Sequence, residues 1–212
     1  RLSKPQPYTA AELLAIQETI EQQLQAVGAR AAIQLAPLLI TFGPQQIKQL
    51  KGKFENDNQE YFSDYLKNSE SPSSLKKRQA QVIKRFEGWL GTLTQQQQNI
   101  LISVANSRAP IIAAWYEERK LRQQALIALI QTQQNAQPAQ AQQALQDYLK
   151  SLGRYREPTL SAQRDNLRLE WAQATAEILN LASPDQKKYL QKKLRGYAQD
   201  FAALTPKSLA QK

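Results

Sequence analysis

Side chains that usually carry out catalysis or hold metals are scarce in this sequence. It contains no His and no Cys, which removes the commonest general base and the usual ligands of zinc, haem and iron–sulfur centres. The adjacent carboxylates Glu117 and Glu118 neighbour Arg119 and Lys120, a pattern typical of a salt-bridged helix surface. We find no Gly-rich phosphate-binding loop. The sequence therefore predicts a protein that is not an enzyme and has no cofactor, metal site or catalytic residue.

Basic side chains are the remaining candidates for a binding site. The chain carries 28 Lys and Arg against 18 Asp and Glu, a formal charge of +10. Seven residues on two predicted helices form the candidate contact set: Lys76, Lys77, Arg78, Lys187, Lys188, Lys192 and Arg195. An anionic membrane surface would attract such residues with about 1 kcal/mol per charge, and acidic or unfolded protein clients are equally suitable. A solvated polar face is the alternative, because lysines usually lie there.

Aromatic side chains offer a second kind of contact. Trp89, Trp115 and Trp171 could form an aromatic patch that binds protein clients. Trp89 and Trp171 lie on apolar seams, so the sequence favours packing in the core for these two. Nucleic acid is compatible with the positive charge, but we find no helix-turn-helix signal and no interleaved stacking aromatics. A nucleic-acid partner is therefore not expected.

Apolar residues repeat at helical spacing along the chain and predict the elements that position these groups. Predicted helices cover residues 9–27, 45–68, 75–90, 110–132, 138–152, 160–181 and 184–204; another begins at 94, and a further apolar segment lies at 29–42. We expect Gly28 to end the first helix and Pro37 to kink or divide the following segment. The segment 160–181 is expected to turn one seam toward the core: Leu167, Trp171, Ala174, Ile178 and Leu181.

The absence of strand alternation predicts an all-α fold, a single bundle-like domain of about seven to nine helices with no sheet. This domain is expected over residues 9–204, with 1–8 as a disordered or truncated edge and 205–212 as a C-terminal tail. The chain begins at Arg1 and contains no Met, which indicates a processed piece with any targeting signal upstream. No segment approaches the roughly 20 consecutive apolar residues that span a bilayer.

Three predicted helix starts share one local pattern. Each has a Gln three positions after a residue suited to the N-cap, and a Leu four positions after that Gln. In a capping box the Gln side chain accepts a hydrogen bond from the N–H of the cap residue. We therefore expect a structural role for this helix-start motif, whose members are Leu90, Thr94, Gln97, Ser183, Gln186 and Gln46.

The run Arg85-Phe-Glu-Gly-Trp-Leu-Gly-Thr-Leu-Thr-Gln-Gln-Gln97 resembles the signature of a family of Gram-negative envelope lipoproteins of unknown function. The closing segment 183–204 is similar to the last helix of that family, including Leu194, Tyr197 and Asp200. The resemblance implies an exported protein that faces the periplasm and is lipid-anchored through an upstream Cys. It also implies a missing N-terminal helical part, and it assigns no functional residues.

A weaker similarity is to periplasmic chaperones of the Spy and CpxP type, which carry a Leu-Thr-x-x-Gln element at helix starts. Residues 93–97 fit this element fully, 182–186 loosely and 42–46 in outline. This similarity implies binding of unfolded clients on a basic, partly apolar surface.

Together these patterns predict a non-enzymatic, periplasm-facing lipoprotein domain that binds protein or peptide and acts like a chaperone. The alternative is a structural or assembly accessory that contacts the membrane or a fixed partner. Nucleic-acid binding is a third and weaker possibility. The sequence leaves the identity of the partner, the oligomeric state and the choice between inner and outer membrane open.

Overall fold

The computed structural model describes residues 7–69, 71–107, 111–152 and 158–204. Within these ranges the chain forms no strand, and its α-helices are α1 (Ala10–Thr41), α2 (Pro44–Tyr61), α3 (Pro72–Leu90), α4 (Gln95–Ser107), α5 (Ile112–Thr132), α6 (Pro138–Ser151), α7 (Pro158–Leu181) and α8 (Pro184–Leu204). A short π-helical turn, Phe62–Leu66, follows α2 directly. The predicted all-α fold of seven to nine helices is confirmed. The predicted C-terminal tail and residues 1–6 of the predicted edge lie outside the described residues.

The first helix is longer than the sequence indicates. α1 runs without interruption for 32 residues, through both Gly28 and Pro37. The expected break at Gly28 was therefore wrong, and of the two expectations for Pro37 the division was wrong. A glycine inside a helix costs only about 1 kcal/mol relative to alanine, and the side chain of Leu149 lies 3.8 Å from the position of a Cβ on Gly28. Ala36 and Leu39 on either side of Pro37 are buried. Their packing offsets the hydrogen bond that proline cannot donate.

The continuity of α1 also changes the expectation about a membrane-spanning segment. By length and composition alone, α1 is long and apolar enough to cross a bilayer, and 17% of its most apolar window is buried. The separate segments 9–27 and 29–42 did not suggest such a helix. Core helices of soluble proteins and signal sequences meet the same criterion, so this finding assigns neither a location nor a role.

Residue contacts divide the chain into two compact units. Unit one consists of Arg1–Leu13, Leu75–Ser107 and Glu170–Lys212, and unit two consists of Leu14–Ser74 and Arg108–Leu169. The single domain over residues 9–204 stays a prediction.

The core of unit one is built from α3, α4, α8 and the second half of α7. Its buried residues are Leu90, Leu93, Leu101, Ile178, Leu179 and Leu190. The ring of Trp171 stacks on Phe86 with centroids 6.0 Å apart and packs against this core. Of the predicted seam on α7, Leu167, Ala174 and Ile178 are buried, but Leu181 at the helix end is exposed, so its expected core position was wrong.

Capping boxes start two of these helices. The N–H of Thr94 donates to Gln97 Oε1 over 3.0 Å, and the N–H of Gln97 donates to Thr94 Oγ1 over 3.2 Å. Ser183 and Gln186 repeat this pair of hydrogen bonds at the start of α8, with the same two distances of 3.0 and 3.2 Å. The side chain three positions into each helix therefore satisfies a main-chain N–H that the helix itself leaves unpaired.

The two capping glutamines also bind one another inside unit one. Gln97 Nε2 donates to Gln186 Oε1 over 3.1 Å, and Gln186 Nε2 donates to Gln97 Oε1 over 3.0 Å. The second Nε2 hydrogen of each residue reaches a carbonyl oxygen, that of Ile178 at 3.4 Å for Gln97 and that of Thr92 at 2.8 Å for Gln186. The oxygen of each carboxamide also accepts the cap bond from a main-chain N–H. Each carboxamide therefore donates two hydrogen bonds and accepts two, which is its full capacity.

Unit two has a separate core formed by α1, α2, α5 and α6. Its buried residues are Ala32, Leu39, Ile47, Ile127, Ile130 and Leu145. A smaller cluster joins the beginning of α5 to the first turns of α7 through Ile111, Leu160 and Leu167. At the start of α2 the N–H of Gly43 donates to Gln46 Oε1 over 2.7 Å. The return bond of a capping box does not form there, because glycine has no side chain.

We predict that Gln97→Ala lowers the free energy of unfolding by about 2–4 kcal/mol, because it leaves the buried carboxamide of Gln186 and the part-buried N–H of Thr94 without their partner, at about 1–3 kcal/mol for each buried group. Urea denaturation followed by circular dichroism measures the difference. Gln46→Ala is the matched control, since Gln46 makes the same cap bond but is exposed. We expect this control to lose about 0.5–1.5 kcal/mol. Equal losses in the two variants would contradict a special role for the buried pair.

Candidate functional site

The seven basic residues predicted as contacts belong to unit one and differ in exposure. Arg78 and Lys187 are half-buried, and the other five are exposed on α3 and α8. Lys188 Nζ lies 3.7 Å from Asp185 Oδ1 in an exposed pair, an arrangement that contributes little to stability. Lys192 lines a shallow cavity beside two tyrosines. The role of these residues in binding stays a prediction.

An apolar surface lies along α8, and its residues Tyr189 and Tyr197 line the same cavity as Lys192. Leu190, Leu194 and Tyr197 follow one another at helical spacing, yet only Leu190 is buried, while Leu194 and Tyr197 are 42% and 49% exposed. The ring of Trp89 on α3 lies 5.4 Å from the ring of Tyr197. We call Trp89, Tyr189, Leu194 and Tyr197 the α8 patch. Phe201 at the end of the same helix is 70% exposed.

The α8 patch corrects the expectation for one tryptophan. Trp89 is 38% exposed, so its expected core position was wrong, whereas Trp171 packs against the core of unit one. Both lie on apolar seams, and the seam alone does not reveal how far the core extends along it. Trp115 belongs to unit two and lines a cavity there.

A cavity of about 450 Å³ opens along one side of the patch. Its lining residues are Tyr189, Lys192, Lys193, Gly196, Tyr197 and Asp200. Lys193 Nζ lies 5.4 Å from the centroid of the Tyr189 ring, a cation–π contact worth about 0.5–1 kcal/mol at an exposed site. The surface therefore offers aromatic faces and ammonium groups together, which suits an apolar segment that carries negative charge.

A second cavity of about 440 Å³ lies among α2, α5 and α6 of unit two. Its walls are Phe54, Tyr61, Trp115, Arg119, Arg122, Gln123, Leu126 and Tyr148, all of them half-buried. We call it the arginine cavity. Two guanidinium groups among aromatic rings distinguish it chemically from the lysine-lined cavity on α8.

A buried ion pair holds one of the two arginines. Glu118 is 2% exposed, and its Oε1 accepts a hydrogen bond from Arg122 Nε over 3.1 Å. The expectation of a salt-bridged surface therefore fits Glu117, which pairs with Lys120 over 2.8 Å, but was wrong for Glu118. Steps of four and three residues from Ile111 reach first Trp115 and then Glu118, so helical spacing places this carboxylate on the buried face of α5.

Neutral side chains hold the other arginine. Arg119 Nε donates to Asn58 Oδ1 over 3.0 Å, and Asn58 Nδ2 donates to Gln123 Oε1 over 2.7 Å. The guanidinium carbon of Arg119 lies 5.4 Å from the centroid of the Tyr61 ring. Asn58 and Tyr61 come from α2, so the position of Arg119 depends on the contact between α2 and α5. Sequence reasoning did not single out Asn58 or Tyr61 as functional residues.

Tyr61 is the last residue of α2 before the π-helical turn. Its ring is parallel to that of Tyr116 to within 8°, at a centroid distance of 5.9 Å, and lies 4.8 Å from the ring of Tyr65. Burial raises the pKa of Tyr61 above its ordinary value of 10.0, Tyr65 raises it further, and Arg119 acts in the opposite direction. π-Helical turns occur frequently at functional sites, and this one begins directly after Tyr61, which lines the cavity.

We predict that Tyr61 stabilises the fold less at high pH. Because its pKa is higher in the folded protein, its contribution is complete below about pH 10 and is lost as pH rises through the raised pKa. The stability difference between the wild type and Tyr61→Phe should therefore shrink above about pH 10. Urea unfolding across this pH range measures it, with Tyr189→Phe on exposed α8 as the control. A pH-independent difference would contradict the prediction.

Among the described residues, no three His, Cys, Asp or Glu side chains come together in a group that could hold a metal ion. The two cavities present ammonium and guanidinium ions, the carboxylate of Asp200, an amide and aromatic rings.

No curated protein and no solved structure matches the chain. A family model described as a family of unknown function, DUF6279, matches residues 3–157. This match covers most of the chain, including all of the residues that line the arginine cavity. The chain therefore belongs to the DUF6279 family.

Proposed function

We propose that this protein is a non-enzymatic, chaperone-like binding protein for unfolded or extended polypeptide segments. The observation that carries the proposal is the exposure of the α8 patch beside the ammonium groups of Lys192 and Lys193. Large apolar side chains clustered at the surface usually mark an interaction site, because their exposure to water is unfavourable. The Trp89 and Tyr197 rings add flat, rigid contact area that loses little conformational entropy on binding.

The charge of the surface favours particular clients. Each apolar side chain that a client covers contributes about 25 cal/mol for every Å² removed from water, and this contribution is indifferent to sequence. The lysines beside the patch accelerate the encounter with acidic segments, since electrostatic attraction chiefly raises association rates. We therefore expect broad recognition of apolar segments, with a preference for those that carry Asp or Glu.

The proposed setting is the periplasmic side of the bacterial envelope, with lipid anchoring through a Cys upstream of this piece. The motif at residues 85–97 supports this setting through its resemblance to envelope lipoproteins. The Leu-Thr-x-x-Gln element supports the chaperone-like role in the same way. In the structure the final Gln of that element, Gln97, is fully buried and holds α4 against α8, so its contribution to client binding would be indirect.

We predict that the protein suppresses aggregation of a chemically unfolded model client at about equal molar ratio, as measured by light scattering. The double variant Leu194→Ser/Tyr197→Ser should weaken this suppression about tenfold or more in required concentration, since it removes roughly 1–2 kcal/mol of apolar contact. Leu121→Ser is the matched control, because Leu121 is 40% exposed on α5 of unit two, close to the 42% of Leu194.

The salt dependence of suppression separates apolar from charged contact. Activity that survives moderate salt would assign binding to the apolar surface, because screening weakens interactions between exposed charges. No suppression by the wild type in either buffer would refute the chaperone-like function. Suppression that the double variant retains in full would place client binding elsewhere on the molecule.

A second candidate function, an accessory that contacts the membrane, is favoured by α1. Ile16, Ile20, Leu24 and Val27 repeat at helical spacing and are between 50% and 63% exposed. Such an apolar stripe on a helix is suited to the interfacial region of a bilayer.

We predict for this second candidate that the wild type floats with vesicles in a density gradient and that Ile20→Ser/Leu24→Ser reduces the bound fraction. Vesicles of pure phosphatidylcholine and vesicles containing phosphatidylglycerol distinguish apolar insertion from charge attraction, which contributes about 1 kcal/mol per basic residue near the surface. Leu121→Ser again serves as the control. Equal flotation of wild type and double variant would exclude α1 as the membrane contact.

A further inference from the structure

The arginine cavity of unit two contains ordered polar groups that the proposed client-binding surface does not use. Its volume of about 440 Å³ falls within the range of about 300–1,000 Å³ that is usual for small-ligand sites. Its walls combine aromatic and apolar side chains with a small number of polar groups, which is the usual composition of such a site.

The balance of charge in the cavity favours a ligand with a single negative charge. Glu118 neutralises Arg122 through the buried ion pair. Arg119 forms no ion pair with the described residues and is held by Asn58 and the Tyr61 ring. Of the two guanidinium ions of the cavity, that of Arg119 is therefore the one held without a carboxylate among the described residues. A single carboxylate pairs with a single guanidinium through two parallel hydrogen bonds.

The hydrogen bonds of Arg119 indicate how such an anion would bind. In the described part of the chain its Nε is already engaged with Asn58 Oδ1 at 3.0 Å, which leaves the two terminal NH₂ groups for a ligand. A guanidinium group held in this way presents a planar set of donors that matches the two oxygens of a carboxylate. The contacts with Asn58 and Tyr61 fix the guanidinium before the ligand arrives, so less entropy is lost on binding.

The apolar lining residues favour an apolar group attached to the anion. Phe54, Trp115 and Leu126 line the same cavity as Arg119. A ring or branched aliphatic group would replace water against these side chains, at about 25 cal/mol for every Å² of apolar surface removed from water. A free inorganic anion would leave this surface uncovered.

We infer that the arginine cavity binds a monocarboxylate joined to an aromatic or apolar group, as found in a free aromatic acid or at the carboxyl terminus of a peptide. The carboxylate lies on Arg119, and the apolar group lies against Phe54, Trp115 and Leu126. This site goes beyond the proposed function, because it belongs to unit two and shares no residue with the α8 patch.

The experiment is a calorimetric titration of the full chain with acetyl-Ala-Ala-Phe, as the free acid and as the carboxyl-terminal amide. We expect the acid to bind about tenfold or more tightly than the amide, because the amide cannot form charge-assisted hydrogen bonds with Arg119. N-acetylphenylalanine distinguishes the two sources of the carboxylate. Affinity equal to that of the peptide indicates a small-acid site, and weaker binding indicates a peptide chain end.

Arg119→Gln should weaken binding of the acid about tenfold or more and leave the amide unchanged. Lys53→Gln is the matched control, since Lys53 is an exposed cation of α2 that pairs with Asp57 outside the cavity. Arg122 is not substituted, because its loss would leave Glu118 buried and unpaired. If Arg119→Gln does not fold, the indole N–H signal of Trp115 in the wild type provides the test. That signal should shift with the acid and stay in place with the amide.

Equal affinity for acid and amide, binding unaffected by Arg119→Gln, or no heat and no Trp115 shift with the acid would each overturn the inference. Failure here and failure of the proposed function are distinguishable. Arg119→Gln should leave aggregation suppression unchanged, and Leu194→Ser/Tyr197→Ser should leave binding of the peptide acid unchanged.

Discussion

Unit one depends on the reciprocal hydrogen bonds between the buried carboxamides of Gln97 and Gln186. These residues are 89 positions apart in the chain, and each also completes the capping box of its own helix. Because all donors and acceptors of the pair are used, burial of two amides is not penalised by unpaired groups. A shift of α4 relative to α8 would break several hydrogen bonds at once. The pair therefore fixes the position of the first turn of α4 relative to the first turn of α8.

The α8 patch follows from this attachment at one end of the helix. Gln186 and Leu190 hold the first turns of α8 against the core of unit one. Beyond them the same apolar seam leaves the core and becomes surface at Leu194 and Tyr197. Because its first turns are held by the core, α8 can leave an apolar face exposed to solvent and still keep its position in unit one. Binding of extended segments requires such a face, since its apolar contacts are non-directional.

Unit two uses charge where unit one uses neutral amides. The buried carboxylate of Glu118 pairs with Arg122 in the wall of a cavity whose second arginine is held by an amide and an aromatic ring. Removing one partner of a buried ion pair is strongly destabilising, so these groups are difficult to change independently. The arrangement keeps one positive charge oriented among aromatic side chains, which is a condition for selective recognition of an anion.

The sequence by itself determined the all-α fold and the capped starts of α4 and α8, because helical periodicity and capping bonds act between residues at most four positions apart. It could not distinguish Gln46 from Gln97 and Gln186, which share one local pattern; only the tertiary structure buries the last two and pairs them. The same limit applies to Glu117 and Glu118, and to Trp89 and Trp171, whose burial depends on what packs against them. It also explains α1, where packing of Ala36 and Leu39 overrides the local signals of Gly28 and Pro37. Burial is decided by partners distant in the chain, and for that reason the location of both candidate sites became visible only in the folded structure.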